Sequence, residues 1–246
     1  MNEDLKKLIE LRGLAIKTPH RQLLTGVDLD VFEGQITALM GPSGSGKSLS
    51  ARCCMGYIDV DPGLTGGSLK FPQHSGDKDW FEGIRNGGMR AQQKLAAVTR
   101  QLRGSYVTYS PQAASSALNP GRTVGRQLEL AMRRRAEMPA DIGKEVASIL
   151  DDVGLPNSAS SALAGELSGG QCQRAALAVA LAPAPAVLIA DEPETGLDPV
   201  LTRQVIELMI NLVRDRGCGM LLISHHEETV QRVADRVVRL TGGGHT

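Results

Sequence analysis

Residues 36–40, ITALM, run straight into residues 41–48, GPSGSGKS, and that junction decides the fold. The first five residues lack the polar and apolar alternation of a strand with one wet face, so they predict a strand buried on both sides, as in a parallel sheet. The eight that follow match G-x-x-x-x-G-K-[ST] in full, and the sequence from Lys47 onward suits a helix. Working outward, residues 9–16 and 26–33 read as strands. In the second, Val27, Leu29 and Val31 alternate with Asp28 and Asp30, which suits a sheet with one solvated face. Two further apolar runs, 186–190 ending at Asp191 and 220–223 ending at Ser224, each precede helix-compatible sequence. The repeated order of strand, loop and helix predicts an α/β core.

Between Gly63 and Gly104 this order breaks down among seven glycines at 63, 66, 67, 76, 83, 87 and 88, and the stretch reads as a loop-rich insertion with one short helix over 93–102. Helical periodicity returns over 124–137, 142–153 and 168–181. The expectation is one domain over 1–246, with a helical subdomain at about 113–180 set into the α/β core and an antiparallel edge sheet.

Composition narrows the function. Lys and Arg number 27, as do Asp and Glu, so no global field draws the chain to nucleic acid or anionic lipid. Aromatic residues make up 3%, too few for a base-stacking surface. The four cysteines, at 53, 54, 172 and 218, form no CxxC pair and have no zinc-like histidine spacing, so they read as reduced thiols. No apolar run nears the roughly 18 residues of a membrane span, and the charged residues 1–10 lack a signal-peptide core, which predicts a cytoplasmic chain. The run Arg133, Arg134 and Arg135 reads as a solvated helix face.

The chemistry follows from spacing. Glycines 41, 44 and 46 let the backbone N–H groups of the loop converge, and the helix start adds partial positive charge, so the segment is built to cradle phosphate oxygens. Lys47 would reach the β- and γ-phosphates, and the Ser48 hydroxyl would serve Mg²⁺. Asp191 and Glu192 close the run AVLIA at the mouth of a sheet. There Asp191 would orient Mg²⁺ through water, and Glu192 would polarise a water for in-line attack on a γ-phosphate. Residues 167–174, LSGGQCQR, place Ser168 as an N-cap before Gly169, Gly170 and Gln171, a second anion-binding helix start. A second such element in one chain suggests a nucleotide sandwiched between two chains.

GPSGSGKS, LSGGQCQR, VLIADEP and the Ser224-His225 pair together resemble the nucleotide-binding subunits of ATP-binding cassette (ABC) transporters over nearly the whole chain. The resemblance implies a P-loop NTPase fold of the ABC type with an antiparallel β subdomain and a helical subdomain, and ATP and Mg²⁺ as cofactors. It assigns Gly41, Pro42, Ser43, Gly44, Ser45, Gly46, Lys47 and Ser48 to the nucleotide, with Asp191 beside them. Ser168, Gly169, Gly170 and Gln171 would contact the nucleotide of an opposing subunit, and Asp198 would lie across the dimer interface. Glu192, His225 and Gln112 take the catalytic roles: base, γ-phosphate switch, and the loop that senses Mg²⁺ and touches the membrane partner. Ser48, Gln112 and Asp191 are then the metal residues.

Within the family, residues 114–120 (ASSALNP) after Gln112 and the GKSL at the first helix resemble the branch importing peptides and nickel. The short tail after Leu240 resembles nickel or metallophore ATPases more closely. The resemblance implies a second ATPase chain, a different one or another copy, together with two permeases, an extracytoplasmic binding protein, no nucleic acid, and a peripheral place on the cytoplasmic face of the cell membrane. Departures from the pattern are His226 where Asp is usual, Glu194 as a third carboxylate, extra residues over 75–103, and His20 as the one ring in residues 17–20 able to stack on adenine. Two rivals stay open: a soluble ABC ATPase of DNA repair or translation, and an ATP-binding partner that does not hydrolyse.

Overall fold

A computed structural model describes residues 5–112, 117–195 and 199–241. In chain order the elements are β1 Lys7–Lys17, β2 Gln22–Phe32, β3 Ile36–Met40, α1 Lys47–Cys54, β4 Gly63–Lys70, α2 Pro72–Ser75, α3 Gly88–Val98, β5 Val107–Ser110, α4 Val124–Met132, α5 Ile142–Asp152, α6 Gly169–Leu181, β6 Val187–Asp191, α7 Pro199–Arg216, β7 Gly219–Ile223, α8 Glu227–Val233 and β8 Arg236–Arg239. They form two compact units, Met1–Arg103 with Gly219–Thr246, and Gly104–Cys218.

In the first unit β1 lies between β2 and β4 in an antiparallel sheet. Its core side carries Ile9, Leu11, Leu14 and Ile16, all fully buried. Strand β3 is buried at all five positions and pairs in parallel with β7 on one side and β8 on the other, as its unbroken apolar run demands. The Asp235 carboxylate accepts the Ile36 N–H at 2.8 Å and fixes where β3 begins.

The region expected to be a loop-rich insertion is structured, and its first part is a strand. β4 pairs with β1 despite three glycines, which have low strand propensity and hid it from a pattern search. Gly67 is required there: its φ is +101°, and a Cβ would sit 2.7 Å from the Arg12 carbonyl oxygen, beside the register shift between Arg12 and Ala15. The segment after β4 is strapped back onto it. Asp79 accepts the Leu69 and Phe81 N–H groups at 3.1 and 2.9 Å and pairs with Arg85, which also donates to the Gly67 carbonyl. Phe71, Phe81, Leu95 and Leu102 are buried to 1% exposure or less, so this region holds its large apolar side chains out of water. The short helix starts earlier than expected, at Gly88, and residues Thr99–Gln101 form a 3₁₀ turn instead of its end.

In the second unit β5 and β6 pair in parallel, Val107 with Val187 through Ser110 with Ala190. Helices α4, α5 and α6 start at side-chain caps: Thr123 accepts Arg126 N–H, Asp141 accepts Lys144 N–H, and Ser168 accepts Gln171 N–H. The arginine run is exposed at Arg133 and Arg134 as expected, but it follows the helix instead of lying on it, and its third member is not solvated. Helix α4 stops at Met132, and Arg135 turns inward to donate to the Ala182 carbonyl at 2.6 Å and to Glu145 at 2.7 Å. The carbonyl at the end of α6 draws in a cation that helical periodicity alone would point to water.

Candidate functional site

The phosphate loop leaves buried β3 at Gly41 and enters α1 through Gly46, which takes φ +94° as the N-cap. A Cβ on Gly46 would lie 2.4 Å from Leu24 Cδ2, so both backbone angle and space require glycine. Lys47 is only 7% exposed and folds back over the loop, donating to the Gly41 and Pro42 carbonyls at 2.8 and 3.2 Å. An ammonium held inside the curl of the loop is placed to exchange two carbonyls for phosphate oxygens. Pro42, Ser43, Gly44 and Ser48 are exposed, whereas Ser45 is buried. A cleft of about 580 Å³ opens against Ser45, walled by Leu23, Leu24, Asp28, Arg239 and Leu240. His225 and His226 follow β7 in the same unit, both exposed, their ring centroids 4.1 Å apart and the planes tilted by 36°. The Ser224 hydroxyl accepts the His226 N–H at 3.0 Å and fixes that turn. His20 is exposed in the β1 to β2 turn, which the Thr18 hydroxyl organises by accepting the Arg21 N–H.

The second unit gathers the acidic residues. Asp191 ends β6 at 6% exposure, and its Oδ2 accepts the Tyr109 hydroxyl at 2.6 Å. Glu192 has φ +45°, a left-handed conformation costly for a side chain with a Cβ. The turn is closed by Thr195 N–H donating to the Glu192 carbonyl at 3.0 Å. Gln112 Nε2 donates to Glu192 Oε2 at 2.9 Å, and the Thr195 hydroxyl lies 3.3 Å from the same oxygen. Gln112 and Glu192, far apart in sequence, therefore meet. Glu194 is buried beside this turn at 3% exposure. Ser168 and Gln171 close a reciprocal capping box, leaving Gly169 as bare, exposed backbone at the start of α6. Asp198 and residues 114–116 of the ASSALNP stretch lie outside the described residues.

Tyr109 and Thr195 were missed by the sequence reading. Tyr109 opens the Tyr-Ser-Pro-Gln run that ends at Gln112, but only the β5 to β6 register brings it to Asp191. Thr195 carries a signal in the DEPET stretch, beside the unusual carboxylate of Glu194.

The cysteines take no part. Cys53 and Cys54 are fully buried on α1, and burial pushes the Cys53 thiol well up and the Cys54 thiol up to about 12; Cys218 is raised to about 11 for the same reason. A disulfide reagent at pH 8 is expected to leave Cys53 and Cys54 unmodified in the folded chain and to reach both after denaturation; fast labelling of either in the folded chain would contradict this burial. The unfolded chain releases these protons first, near pH 9. Stability is therefore whole below about pH 9 and falls as pH rises toward the folded values, so the thermal midpoint should drop between pH 8 and pH 10.

Residues 24–195 match the family model described as ABC transporter. The chain is 34% identical over 241 residues to the nickel import ATP-binding protein NikD of Pseudomonas putida, covering 96% of this chain and 85% of that one. It is 34% identical over 226 residues to the dipeptide transport ATP-binding protein DppD of Bacillus subtilis, covering 90% and 63%. Its fold is similar to the dimeric structure of a post-hydrolysis state of the ATP-binding cassette MJ0796 bound to ADP and Pi, at a TM-score of 0.74 and 24% identity over 96% and 95% of the two chains. A family match spanning the phosphate loop and both acidic residues, with relatives a third identical over nearly the whole length, has one reading: the chain belongs to the ABC transporter family and is its ATP-binding, ATP-hydrolysing cassette.

Proposed function

We propose that the chain is the motor subunit of an importer for nickel, a metal chelate or short peptides. Kinship to a nickel import protein and a dipeptide transport protein at equal identity supports both cargo classes alike. The observation that supports the motor reading best is the 2.9 Å contact between Gln112 and Glu192. It joins the loop that in this family faces the membrane partner to the carboxylate that activates water, so a shift of one is felt by the other.

In this reading two cassettes, this chain with a different ATPase or a second copy, close on two ATP molecules, as kinship of fold to a dimeric cassette supports. Gly41 to Ser48 bind the phosphates, and Ser168 to Gln171 and Asp198 serve the nucleotide of the facing subunit. Glu192 takes a proton from the attacking water, and His225 bonds the γ-phosphate. The donor types that the family resemblance implies suit magnesium: the Ser48 hydroxyl and the Gln112 amide oxygen would be hard oxygen ligands, and the Asp191 carboxylate would hold the ion through water. Bound there, the ion would neutralise charge on the β- and γ-phosphates. The whole chain acts as one cassette, with residues at about 113–180 as its helical subdomain. No helix among the described residues is long and apolar enough to cross a membrane. Transport then needs two permeases, an extracytoplasmic binding protein and a peripheral position on the cytoplasmic face.

A pull-down of tagged chain from detergent-solubilised membranes, with mass spectrometry and an ATPase assay of the eluate, tests this. Two permeases and a cassette partner are expected. Ribosomal or DNA-repair partners would overturn the transport role and leave the ATPase standing.

A further inference from the structure

We propose that Tyr109 is a positioning residue for ATP hydrolysis, its hydroxyl holding the Asp191 carboxylate in the orientation that serves the magnesium ion. The proposal rests on the ATPase reading and deepens it.

The placement follows from register. Tyr109 of β5 pairs in parallel with Ile189 of β6, so its side chain lies on the face that carries Ile189 and, two residues on, Asp191. That step is about 6.6 Å along the strand, a gap that the length of a tyrosine ring spans. The hydroxyl arrives 2.6 Å from Asp191 Oδ2. A phenol donating to a nearly buried carboxylate at this distance is a charge-assisted bond, among the stronger kinds in proteins.

Its use lies in what Asp191 would otherwise do. A carboxylate at a strand end has two side-chain torsions, and free rotation would present different oxygens to the metal. A donor fixed to Oδ2 removes that freedom, as groups bonded to metal ligands do elsewhere. The adjacent acid is tethered separately, with Glu192 Oε2 taking the Gln112 amide and facing the Thr195 hydroxyl. Residues 109 and 112 thus orient two neighbouring carboxylates with different tasks, each through its own donor.

Tyr109→Phe in the full chain removes the hydroxyl alone. Mn²⁺ binding in the presence of a slowly hydrolysed ATP analogue, read by electron paramagnetic resonance, is expected to weaken about tenfold. Half-saturating Mg²⁺ for ATPase activity should rise by a similar factor, with kcat at saturating Mg²⁺ within about twofold of the parent. In an Asp191→Asn background the same substitution should shift Mn²⁺ affinity no further. Unchanged Mn²⁺ affinity in Tyr109→Phe, or an equal loss in both backgrounds, would overturn the proposal. A parent chain that fails to bind the ATP analogue would instead overturn the ATPase reading.

Discussion

Glu192→Gln is expected to leave ATP binding intact while lowering hydrolysis by about two to four orders of magnitude, the range a general base contributes. Glutamine keeps the shape, and its amide can still meet Gln112 across the 2.9 Å contact, but it cannot accept a proton from water. Glutamine has the same Cβ as glutamate and gains no ease at the φ +45° of this position, so the substitution is expected to change charge without relieving the strained turn. Equilibrium binding of a fluorescent ATP analogue and phosphate release by the assembled complex separate the two effects. An undiminished rate of phosphate release would remove Glu192 from its role.

Lys47→Ala acts on the other quantity. Nucleotide affinity should fall by about two orders of magnitude, because a charge-assisted contact to phosphate is lost from a 93% buried position where bulk water cannot replace it. The loop should also loosen, since Lys47 Nζ ties the Gly41 and Pro42 carbonyls together. Calorimetric titration with ATP reads the first effect and amide exchange at residues 41–48 the second. Affinity within a few-fold of the parent would mean that the ammonium does not leave its carbonyls for the phosphate.

The parts legible in the sequence were those where one residue type answers one physical need. Strand β3 was found at its observed limits because an unbroken apolar run has few uses other than a doubly buried parallel strand. Helix α6 was found because Ser168 caps it within one residue of the expected start. Strand β4 was hidden because its glycines meet a need set by a neighbour, the carbonyl of Arg12 on β1, that no local pattern carries. Tyr109 was hidden for a related reason, since its partner is chosen by register between strands some 80 positions apart. Family resemblance gave Gln112 and Glu192 separate catalytic roles, but not their meeting, as nothing in either segment alone points to the other.

The pairing of β3 has a consequence for synthesis. Both ladder neighbours found for this strand, β7 and β8, come from residues 219–239, near the far end of the chain. During translation the segment 104–218 is complete before either neighbour has been made, and it can condense while β3 waits unpaired. The strand bearing the phosphate loop therefore gains its sheet only after residues 219–239 have been made. A ribosome stalled before Gly219 would hold a nascent chain whose second unit is formed and whose nucleotide-binding strand is an open edge, a natural client for a chaperone.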